Sequence, residues 1–221
     1  MITISGLTKR YGEVQAVQDL SLSFPQRSVT IIHGPSGGGK TTLLRLIAGL
    51  EIPDAGDIRI GGKLASTPER LLAPSKRGIG FVFQTPSLWP HLTVAQNILY
   101  GLHGLTKQQR QERLGGILER ISLEGLEGRY PAQLSGGQAR RVSLARTLIV
   151  KPKRLLLDEP LTHVDPKLRS QLVALIGDTV RDEGVTLLYV THYLDEVVGL
   201  AGRVLCLADG RVAQEDEAGA A

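Results

Sequence analysis

The segment Gly34–Thr41 constrains this chain more than any other feature of its sequence. It has the pattern of a phosphate-binding loop, in which two glycines, a lysine and a hydroxyl occupy fixed positions. The apolar run Val29–Ile32 before it predicts a buried strand, and the apolar face of the helical pattern after it stops at Gly49. A glycine-rich turn that caps an ordinary helix is the alternative interpretation. The flanking strand and helix favour a loop that binds a nucleoside triphosphate.

The residue types of this loop suit phosphate chemistry. Glycine has no Cβ, so backbone N–H groups can approach phosphate oxygens closely. Lys40 supplies positive charge to the β- and γ-phosphates, and the Thr41 hydroxyl is placed to ligate Mg²⁺. We therefore assign the nucleotide contacts of this loop to one continuous stretch, which comprises Gly34, Pro35, Ser36, Gly37, Gly38, Gly39, Lys40, Thr41 and Thr42.

The composition fits an enzyme or motor subunit that is soluble when expressed alone. The chain has 221 residues, of which 42% are hydrophobic, so it can form one large α/β domain or a core with an inserted subdomain. No apolar stretch approaches the ~18 residues that a membrane-spanning helix needs. Cys206 is the only cysteine, which excludes disulfide scaffolds and cysteine-rich metal sites. The net charge of +4 is scattered and favours neither nucleic acid nor an anionic membrane surface.

Polar residues follow several apolar runs at the point where each run ends. Gln84 follows the run from Ile79, Asp158-Glu159 follow Leu155–Leu157, and Thr191-His192 follow Thr186–Val190. Strands that alternate with helices predict a parallel sheet, whose ligands gather at the carboxyl ends of the strands. The sequence therefore predicts that these residues meet the phosphate-binding loop in one active site.

Other segments predict structure outside this sheet. Alternating apolar residues around Leu20–Phe24 and Ile58–Ile60 indicate a flanking antiparallel sheet. Strand signals vanish between about Thr93 and Val150, where an apolar stripe predicts a helix from Thr106 to Ile121. Three further predictions concern the second half of the chain: a helix with Asp165-Pro166 at its start and Gly184 as its stop, a tight turn at Asp209-Gly210, and a frayed acidic tail.

The pentapeptide Leu134–Gln138 is the second motif with chemical content. Ser-x-x-Gln is a capping box, which explains Ser135 and Gln138 without any ligand. Two adjacent glycines, Gly136 and Gly137, weaken a first helical turn, whereas they give an anion close access to a helix N-terminus. Both interpretations stay open on spacing alone. Nearby arginines would add positive charge, although an exposed basic face would look the same; they are Arg140, Arg141 and Arg146.

These motifs resemble, in order and approximate spacing, those of the ATP-binding-cassette (ABC) ATPases. The resemblance covers the chain from Tyr11 to about Arg211. It implies an α/β fold with a P-loop NTPase (RecA-like) core, a flanking antiparallel β subdomain and an inserted helical subdomain. Within a single ABC ATPase domain of 1–221, it implies a core from 1–84 and 151–213, the helical subdomain at 85–150 and a frayed tail at 214–221.

The resemblance also implies roles for residues at the predicted site. Tyr11 matches the aromatic residue that stacks on adenine, although a surface tyrosine packed on the flanking sheet is the alternative. Glu159 matches the general base for the attacking water, and His192 matches the histidine that contacts the γ-phosphate. Gln84 and Asp158 join Thr41 as ligands of Mg²⁺, so the expected cofactors are ATP and Mg²⁺. The alternatives are an N-cap or salt-bridge role for Asp158 and Glu159, a plain loop position for Gln84 and a structural role for His192.

In that family the pentapeptide of one subunit closes over the ATP of another. The resemblance thus implies a homodimer, or a heterodimer with a similar ATPase, in which Ser135, Gly136, Gly137 and Gln138 meet the partner's ATP. Asp165 matches a residue of the dimer seam, but His163 stands where the family usually has a small residue. The expected location is peripheral, at the cytoplasmic face of the cell membrane.

The run from Arg77 to Gln84, followed by Trp89–Val94, resembles ATPase subunits of prokaryotic importers of small solutes. Such subunits bind transmembrane permease subunits, and some act with an external substrate-binding protein. Leu88, Trp89 and Leu92 are candidates for the permease groove, and a hydrophobic anchor of the helical subdomain is the equal alternative for Trp89. Two other functions stay open: the ATPase of a non-transport membrane complex, for cell division or lipoprotein release, and a nucleic-acid-associated cassette. We expect no nucleic acid, because that last class usually carries large insertions or tandem cassettes. The transported solute is not encoded in this sequence.

Overall fold

A six-stranded sheet forms the centre of the molecule. In the computed structural model, which describes residues 1–162 and 164–218, the strand order is β11-β10-β3-β9-β8-β7. All neighbouring strands are parallel except β10 and β11. The strands are β3 (Val29–His33), β7 (Ile79–Val82), β8 (Arg154–Asp158), β9 (Thr186–Val190), β10 (Gly202–Ala208) and β11 (Arg211–Ala218). The apolar runs of the sequence thus become buried strands of one mostly parallel sheet, as predicted.

A second, antiparallel sheet covers one face of the molecule. Its order is β2-β1-β4-β5-β6, with β1 (Ile2–Tyr11), β2 (Val14–Phe24), β4 (Ala55–Ile60), β5 (Lys63–Thr67) and β6 (Arg70–Leu71). Helix α1 (Lys40–Ala48) contributes Leu43, Leu44, Leu46 and Ile47 to a core cluster that includes residues of both sheets. The helix that follows the phosphate-binding loop is therefore wedged between the two sheets.

The opposite face of the central sheet packs against helices. These are α2 (Val94–Leu99), α3 (Lys107–Arg120), α4 (Gly136–Leu148) and α5 (Pro166–Glu183). Leu155 and Leu157 of β8 join their cluster, whereas Leu156 faces α1 and the antiparallel sheet, as the two-residue period of a strand requires. Residues 83–153, all of which the structure describes, form no strand. No helix in the described part of the chain is long and apolar enough to cross a membrane.

Local signals in the sequence set the helix ends. Thr106 forms a capping box at the start of α3, and the predicted stripe from Leu114 to Ile121 is buried. Asp165 accepts a hydrogen bond from the backbone N–H of Leu168 and caps α5. Gly184 ends α5 in the left-handed conformation with φ 60°, which glycine adopts without a steric penalty. The predictions for these ends are confirmed.

The prediction of a frayed tail at 214–221 is wrong as far as Ala218. Strand β11 pairs antiparallel with β10 from Arg211 to Ala218, after the predicted turn at Asp209-Gly210. The small, acidic composition obscured this strand, because an edge strand needs only one neighbour and has little apolar surface to bury. Residues 219–221 and His163 lie outside the described residues.

Arg77 ties α1 to the antiparallel sheet. Its side chain is 2% exposed, and it donates hydrogen bonds to the carbonyls of Leu46, Ile47, Ala65 and Leu72 and to the hydroxyl of Ser66. Burial lowers the pKa of Arg77 to about 10, so the guanidinium stays charged at neutral pH. It satisfies carbonyls at the C-terminus of α1, where a cation is also favoured by the helix dipole.

We predict that Arg77→Met lowers the free energy of unfolding by about 3 kcal/mol, because several buried carbonyls lose their donor. Urea unfolding followed by circular dichroism measures the change. Arg70→Met at an exposed position of β6 is the matched control, and we expect it to change the free energy by less than about 0.5 kcal/mol. Equal effects of the two substitutions would show that the buried contacts of Arg77 contribute little.

Candidate functional site

The phosphate-binding loop joins the end of β3 to the start of α1. Gly39 is the N-cap of α1 with φ 94°, and no side chain caps the helix. The first N–H groups of a helix have no intrahelical partner, and the helix dipole makes this end positive. Gly37 also has a positive φ, of 78°. The loop therefore leaves backbone donors at the N-terminus of α1 free for an anion, as the sequence pattern predicts.

Glycines of this loop are also required by the protein's own packing. A Cβ at Gly34 or Gly38 would lie 2.1 Å or 2.5 Å from the carbonyl oxygen of Leu207 in β10. A Cβ at Gly39 would lie 2.1 Å from the carbonyl oxygen of Ala16 in β2. Real Cβ atoms do not approach backbone so closely, so these positions accept only glycine without a shift of the loop. The sequence-based prediction explained the glycines by phosphate access alone. It did not foresee their close contact with β10 and β2.

Lys40 is held inside the loop. Its side chain donates to the carbonyls of Gly34 at 3.0 Å and Pro35 at 2.8 Å, and the residue is 5% exposed. Burial lowers the pKa of Lys40, whereas the carboxylates of Glu159 and Asp158 raise it. The loop thus positions one ammonium group close to two carboxylates at the end of β8.

Asp158 and Thr41 form the part of the site that suits a magnesium ion. Thr41 Oγ1 donates to Asp158 Oδ1 at 3.1 Å. Burial raises the pKa of Asp158, the hydrogen bond from Thr41 lowers it, and the nearby charge of Glu159 raises it again. Hydroxyl and carboxylate oxygens are the hard ligands that Mg²⁺ prefers, and this ion usually takes only one or two protein carboxylates beside water and phosphate oxygens. These residues therefore fit Mg²⁺ bound together with a polyphosphate.

Glu159 is held by donors from two other strand ends. Gln84 Nε2 donates to Glu159 Oε2 at 3.2 Å, and His192 Nε2 lies 2.9 Å from Glu159 Oε1. A carboxylate offers about four lone-pair sites, so these contacts leave room to accept a hydrogen bond from water. The backbone of Glu159 has φ 48°, which is uncommon for a residue with a side chain. Its N–H donates to the carbonyl of Val190 at 3.0 Å, and this contact helps to fix the strained conformation.

Lys40, Thr41, Gln84, Glu159 and His192 line one cavity of about 360 Å³ at the carboxyl ends of the strands, whereas Asp158 is not among its lining residues. Its walls consist of Val14, Ala16, residues 36–42, Gln84, Glu159 and His192. The sequence missed Val14 and Ala16, because no motif marks them and only the docking of β2 on the loop brings them here. A larger cavity of about 1060 Å³ lies elsewhere, around the amino end of β3 and the end of α5. The smaller one contains the chemically active side chains, so we take it as the site.

The pentapeptide lies outside this cavity. Ser135 Oγ accepts from the backbone N–H of Gln138 at 3.2 Å, and Gln138 Oε1 accepts from the N–H of Ser135 at 2.9 Å. The capping box is thus formed, and Ser135 and Gly136 remain exposed. A Cβ at Gly136 would meet no atom of residues 1–162 or 164–218 within 4 Å outside its own helix turn. The structure therefore gives no internal reason for glycine at this position, in contrast to Gly34, Gly38 and Gly39.

The arginines of α4 donate hydrogen bonds to backbone carbonyls of the same chain. Arg141 donates to the carbonyls of Ile121 and Ser122, Arg146 to that of Ser87 and Arg140 to that of Thr162. Burial lowers the pKa of Arg141 and Arg146. The expectation that these arginines add charge for an anion, or form an exposed basic face, gains no support from these contacts. They join α4 to the neighbouring loops.

Comparison with known proteins decides the family. Residues 17–162, which run from β2 past Glu159, match a protein-family model described as ABC transporter. The chain belongs to the ABC transporter family. The resemblance drawn from its motifs is confirmed, and so is the fold class, since the neighbours in structure are cassettes of this family.

Several relatives and solved structures are similar to this cassette. The sulfate/thiosulfate import ATP-binding protein CysA 2 of Chromobacterium violaceum is 44% identical over 96% of the chain, which covers 57% of that protein. The Fe(3+) ions import ATP-binding protein FbpC of Pseudomonas fluorescens is 42% identical over 96% of the chain, which covers 60% of that protein. The chain is thus clearly shorter than these relatives. A dimeric, post-hydrolysis structure of the ATP-binding cassette MJ0796, bound to ADP and Pi, has a TM-score of 0.88 and 30% identity, with 100% of both chains covered.

Two predicted residues of the cassette do not line the cavity, namely Tyr11 and Asp165. Tyr11 is 44% exposed, and Lys9 Nζ lies 5.5 Å from the centre of its ring. Burial and the charge of Glu51 raise the pKa of Tyr11, whereas a hydrogen bond with Thr42 lowers it. Tyr11 therefore stands beside the end of the phosphate-binding loop. Asp165 is exposed and serves as the N-cap of α5.

We predict opposite effects for Gly38→Ala and Gly136→Ala on stability. The first places a Cβ 2.5 Å from the Leu207 carbonyl, which costs about 2 kcal/mol of the free energy of unfolding. The second enters open space in a helical turn and stabilises by about 0.5 kcal/mol, because alanine has the higher helix propensity. Urea unfolding without nucleotide measures both, and a large loss for Gly136→Ala would reveal an internal contact of this glycine.

Proposed function

We propose that this cassette binds Mg-ATP and hydrolyses it. The observation that carries the proposal is the convergence of Lys40, Thr41, Glu159 and His192 on one cavity, with Asp158 held beside it by a hydrogen bond from Thr41. A cradle of backbone donors and a buried ammonium group fit a triphosphate, and an isolated anion site would not need the carboxylates opposite them. The relatives named as import ATP-binding proteins and the cassette bound to ADP and Pi support the same activity.

The reaction we infer is in-line attack of water on the γ-phosphoryl group. Such catalysis rests on positioning and on neutralisation of charge rather than on a covalent intermediate. Glu159 accepts a hydrogen bond from the water, orients it and takes its proton during the attack, while His192 and Gln84 hold the carboxylate. Lys40 and the N-terminus of α1 stabilise negative charge on the phosphates. Thr41, Asp158 and Gln84 would hold Mg²⁺, which would neutralise negative charge on the phosphates.

We further propose that two copies, or one copy and a similar ATPase, enclose the ATP. Gly136 supports this step, because glycine in a first helical turn lowers stability and no contact among the described residues requires it. An anion approaching the N-terminus of α4 from a partner would require it. Ser135 Oγ accepts a hydrogen bond inside its own capping box, so its hydroxyl proton remains available for such an anion. The dimeric form of the similar cassette MJ0796 agrees with this arrangement.

We predict that Glu159→Gln traps a dimer with bound ATP. The amide keeps the size of the side chain but no longer takes a proton from water, so the enclosed ATP persists. Sedimentation velocity with saturating Mg-ATP measures the association, and Lys40→Ala is the control that should neither hydrolyse ATP nor dimerise. A monomer at saturating Mg-ATP for Glu159→Gln would contradict the proposed dimer, and unchanged hydrolysis by Lys40→Ala would contradict the proposed site.

The membrane partner we propose is a pair of permease subunits. An apolar groove of about 620 Å³ lies between the loop after Gln84, the residues that follow α2 and the end of α4, with Leu88 and Trp89 among its lining residues. Trp89 and Tyr100 are 43% and 58% exposed, and their ring centres lie 5.5 Å apart. Half-exposed aromatic side chains of this kind are enriched at protein interfaces. Leu92, which the sequence also suggested, is not among the lining residues.

One hydrogen bond connects a lining residue of the groove to the loop that begins at Gln84. Arg146 Nη1 of α4 donates to the carbonyl of Ser87 at 2.7 Å, within the loop that joins Gln84 to Trp89. A partner seated in the groove would therefore press on the loop that contacts Glu159. We propose that the cassette works peripherally at the cytoplasmic face of a membrane and drives import of a small solute, with a substrate-binding protein outside. The solutes in the names of its relatives are sulfate or thiosulfate, Fe³⁺, and spermidine or putrescine.

We predict that Trp89→Glu abolishes co-purification with the proposed permease subunits, because a charge in an apolar interface is costly. Tyr130→Glu is the matched control, since Tyr130 is 47% exposed and lies outside the groove. Pull-down of a tagged chain from detergent-solubilised membranes, with circular dichroism to verify folding, measures the effect. Equal retention by both variants would contradict the groove as the docking surface, and salt-sensitive binding to DNA or RNA would favour a nucleic-acid function.

A further inference from the structure

The loop that presents His192 is closed by its neighbour Thr191. The Thr191 side chain is fully buried, and its Oγ1 accepts a hydrogen bond from the backbone N–H of Tyr193 at 3.1 Å. A hydroxyl that bonds to the backbone two residues further on fixes a small turn. His192 stands at the middle of this turn, so the orientation of Thr191 sets the direction in which His192 leaves β9.

Glu196 holds the Thr191 hydroxyl from the other side. Thr191 Oγ1 donates to Glu196 Oε2 at 2.8 Å, a shorter contact than the 3.2 Å to the carbonyl of Tyr193. Glu196 belongs to the short 3₁₀ turn Leu194–Val197 and is 8% exposed. A hydrogen bond to an ionised carboxylate is about twice as strong as one between neutral groups. The turn around His192 is therefore anchored to a buried charge.

Arg169 connects that charge to the loop after Glu159. Its Nη1 lies 3.7 Å from Glu196 Oε1, and its Nη2 donates to the carbonyl of Val164 at 3.1 Å. Val164 belongs to the segment that runs from Glu159 to the N-cap of α5. A buried carboxylate without a cation is strongly unfavourable, so Arg169 fixes where Glu196 sits. His192 Nε2 in turn lies 2.9 Å from Glu159 Oε1. The contacts that start at Glu159 and pass through Arg169, Glu196 and Thr191 therefore close into a ring.

We propose that Glu196 is a positioning residue for ATP hydrolysis, which acts through Thr191 to hold His192 against Glu159. The inference rests on the proposed function, since it assigns Glu196 to the same reaction. Glu196 touches neither the cavity nor its lining residues Gln84 and Lys40. Its effect on catalysis therefore passes through the geometry of the Thr191 turn.

The test compares variants at both ends of the contact in the full chain. Glu196→Gln removes the charge, and Thr191→Val removes the hydroxyl at nearly constant volume. For each we expect kcat for ATP hydrolysis to fall about tenfold, because displacement of a catalytic contact by a fraction of an ångström is costly. KM and the affinity for nucleotide stay unchanged, since the phosphate-binding loop is untouched. Thr191→Ser keeps the hydroxyl and restores most of kcat.

A spectroscopic readout reports on His192 without any reaction. The ring resonances of His192, assigned by their loss in His192→Ala, should shift in Glu196→Gln and Thr191→Val. Asp178→Asn is the control, because Asp178 is a surface carboxylate on the same helix as Arg169. It should change neither the His192 signals nor kcat.

The outcomes separate this inference from the proposed function. Unchanged kcat in both variants, or a fall in kcat with an unchanged His192 signal, would overturn the positioning role. A joint loss of nucleotide affinity and stability would overturn it as well, because it indicates a structural ion pair. If Glu196→Gln fails to fold, the kcat and the His192 signals of Thr191→Val test the positioning role. If the unaltered chain hydrolyses no ATP, the proposed function fails, and the His192 signals alone decide the contact.

Discussion

The arrangement of α1 is the constraint on which the rest of this structure depends. The helix is wedged between two sheets, its C-terminal carbonyls are satisfied by the buried guanidinium of Arg77, and its N-terminus is left without a side-chain cap. Unsatisfied donors at a helix N-terminus are a binding site for an anion as soon as the backbone permits close approach. Everything else in the site, from Lys40 to the carboxylates of β8, is arranged around that end of one helix.

Much of this could be predicted from the sequence, because the decisive features are local. The apolar runs, the capping residues Thr106 and Asp165 and the stop at Gly184 each depend on a few neighbouring residues. The strand ends that bear Gln84, Glu159 and His192 converge because parallel strands share one edge. The same locality explains why the motifs alone indicate the family.

The parts that escaped prediction depend on contacts between distant segments. Nothing near Gly38 in the chain reveals that Leu207 would pack against it, and nothing near Ala16 marks it as a wall of the cavity. The left-handed backbone of Glu159 has no signal beyond the following Pro160, which disfavours the right-handed helical region. The arginines of α4 were ambiguous in sequence, and only the carbonyls of Ser87 and Ile121 show what they bind.

The acidic side chains near the end of the chain lie on β11, the outer strand of the central sheet. Gln214, Glu215 and Asp216 are exposed on the outermost strand of the central sheet, and Glu215 pairs with Arg203 of the neighbouring strand. An outer strand has one row of unpaired backbone groups, onto which a foreign strand can add. Negative side chains along that row repel such an addition. The composition that seemed too polar to be ordered thereby protects the largest sheet of the molecule from aggregation.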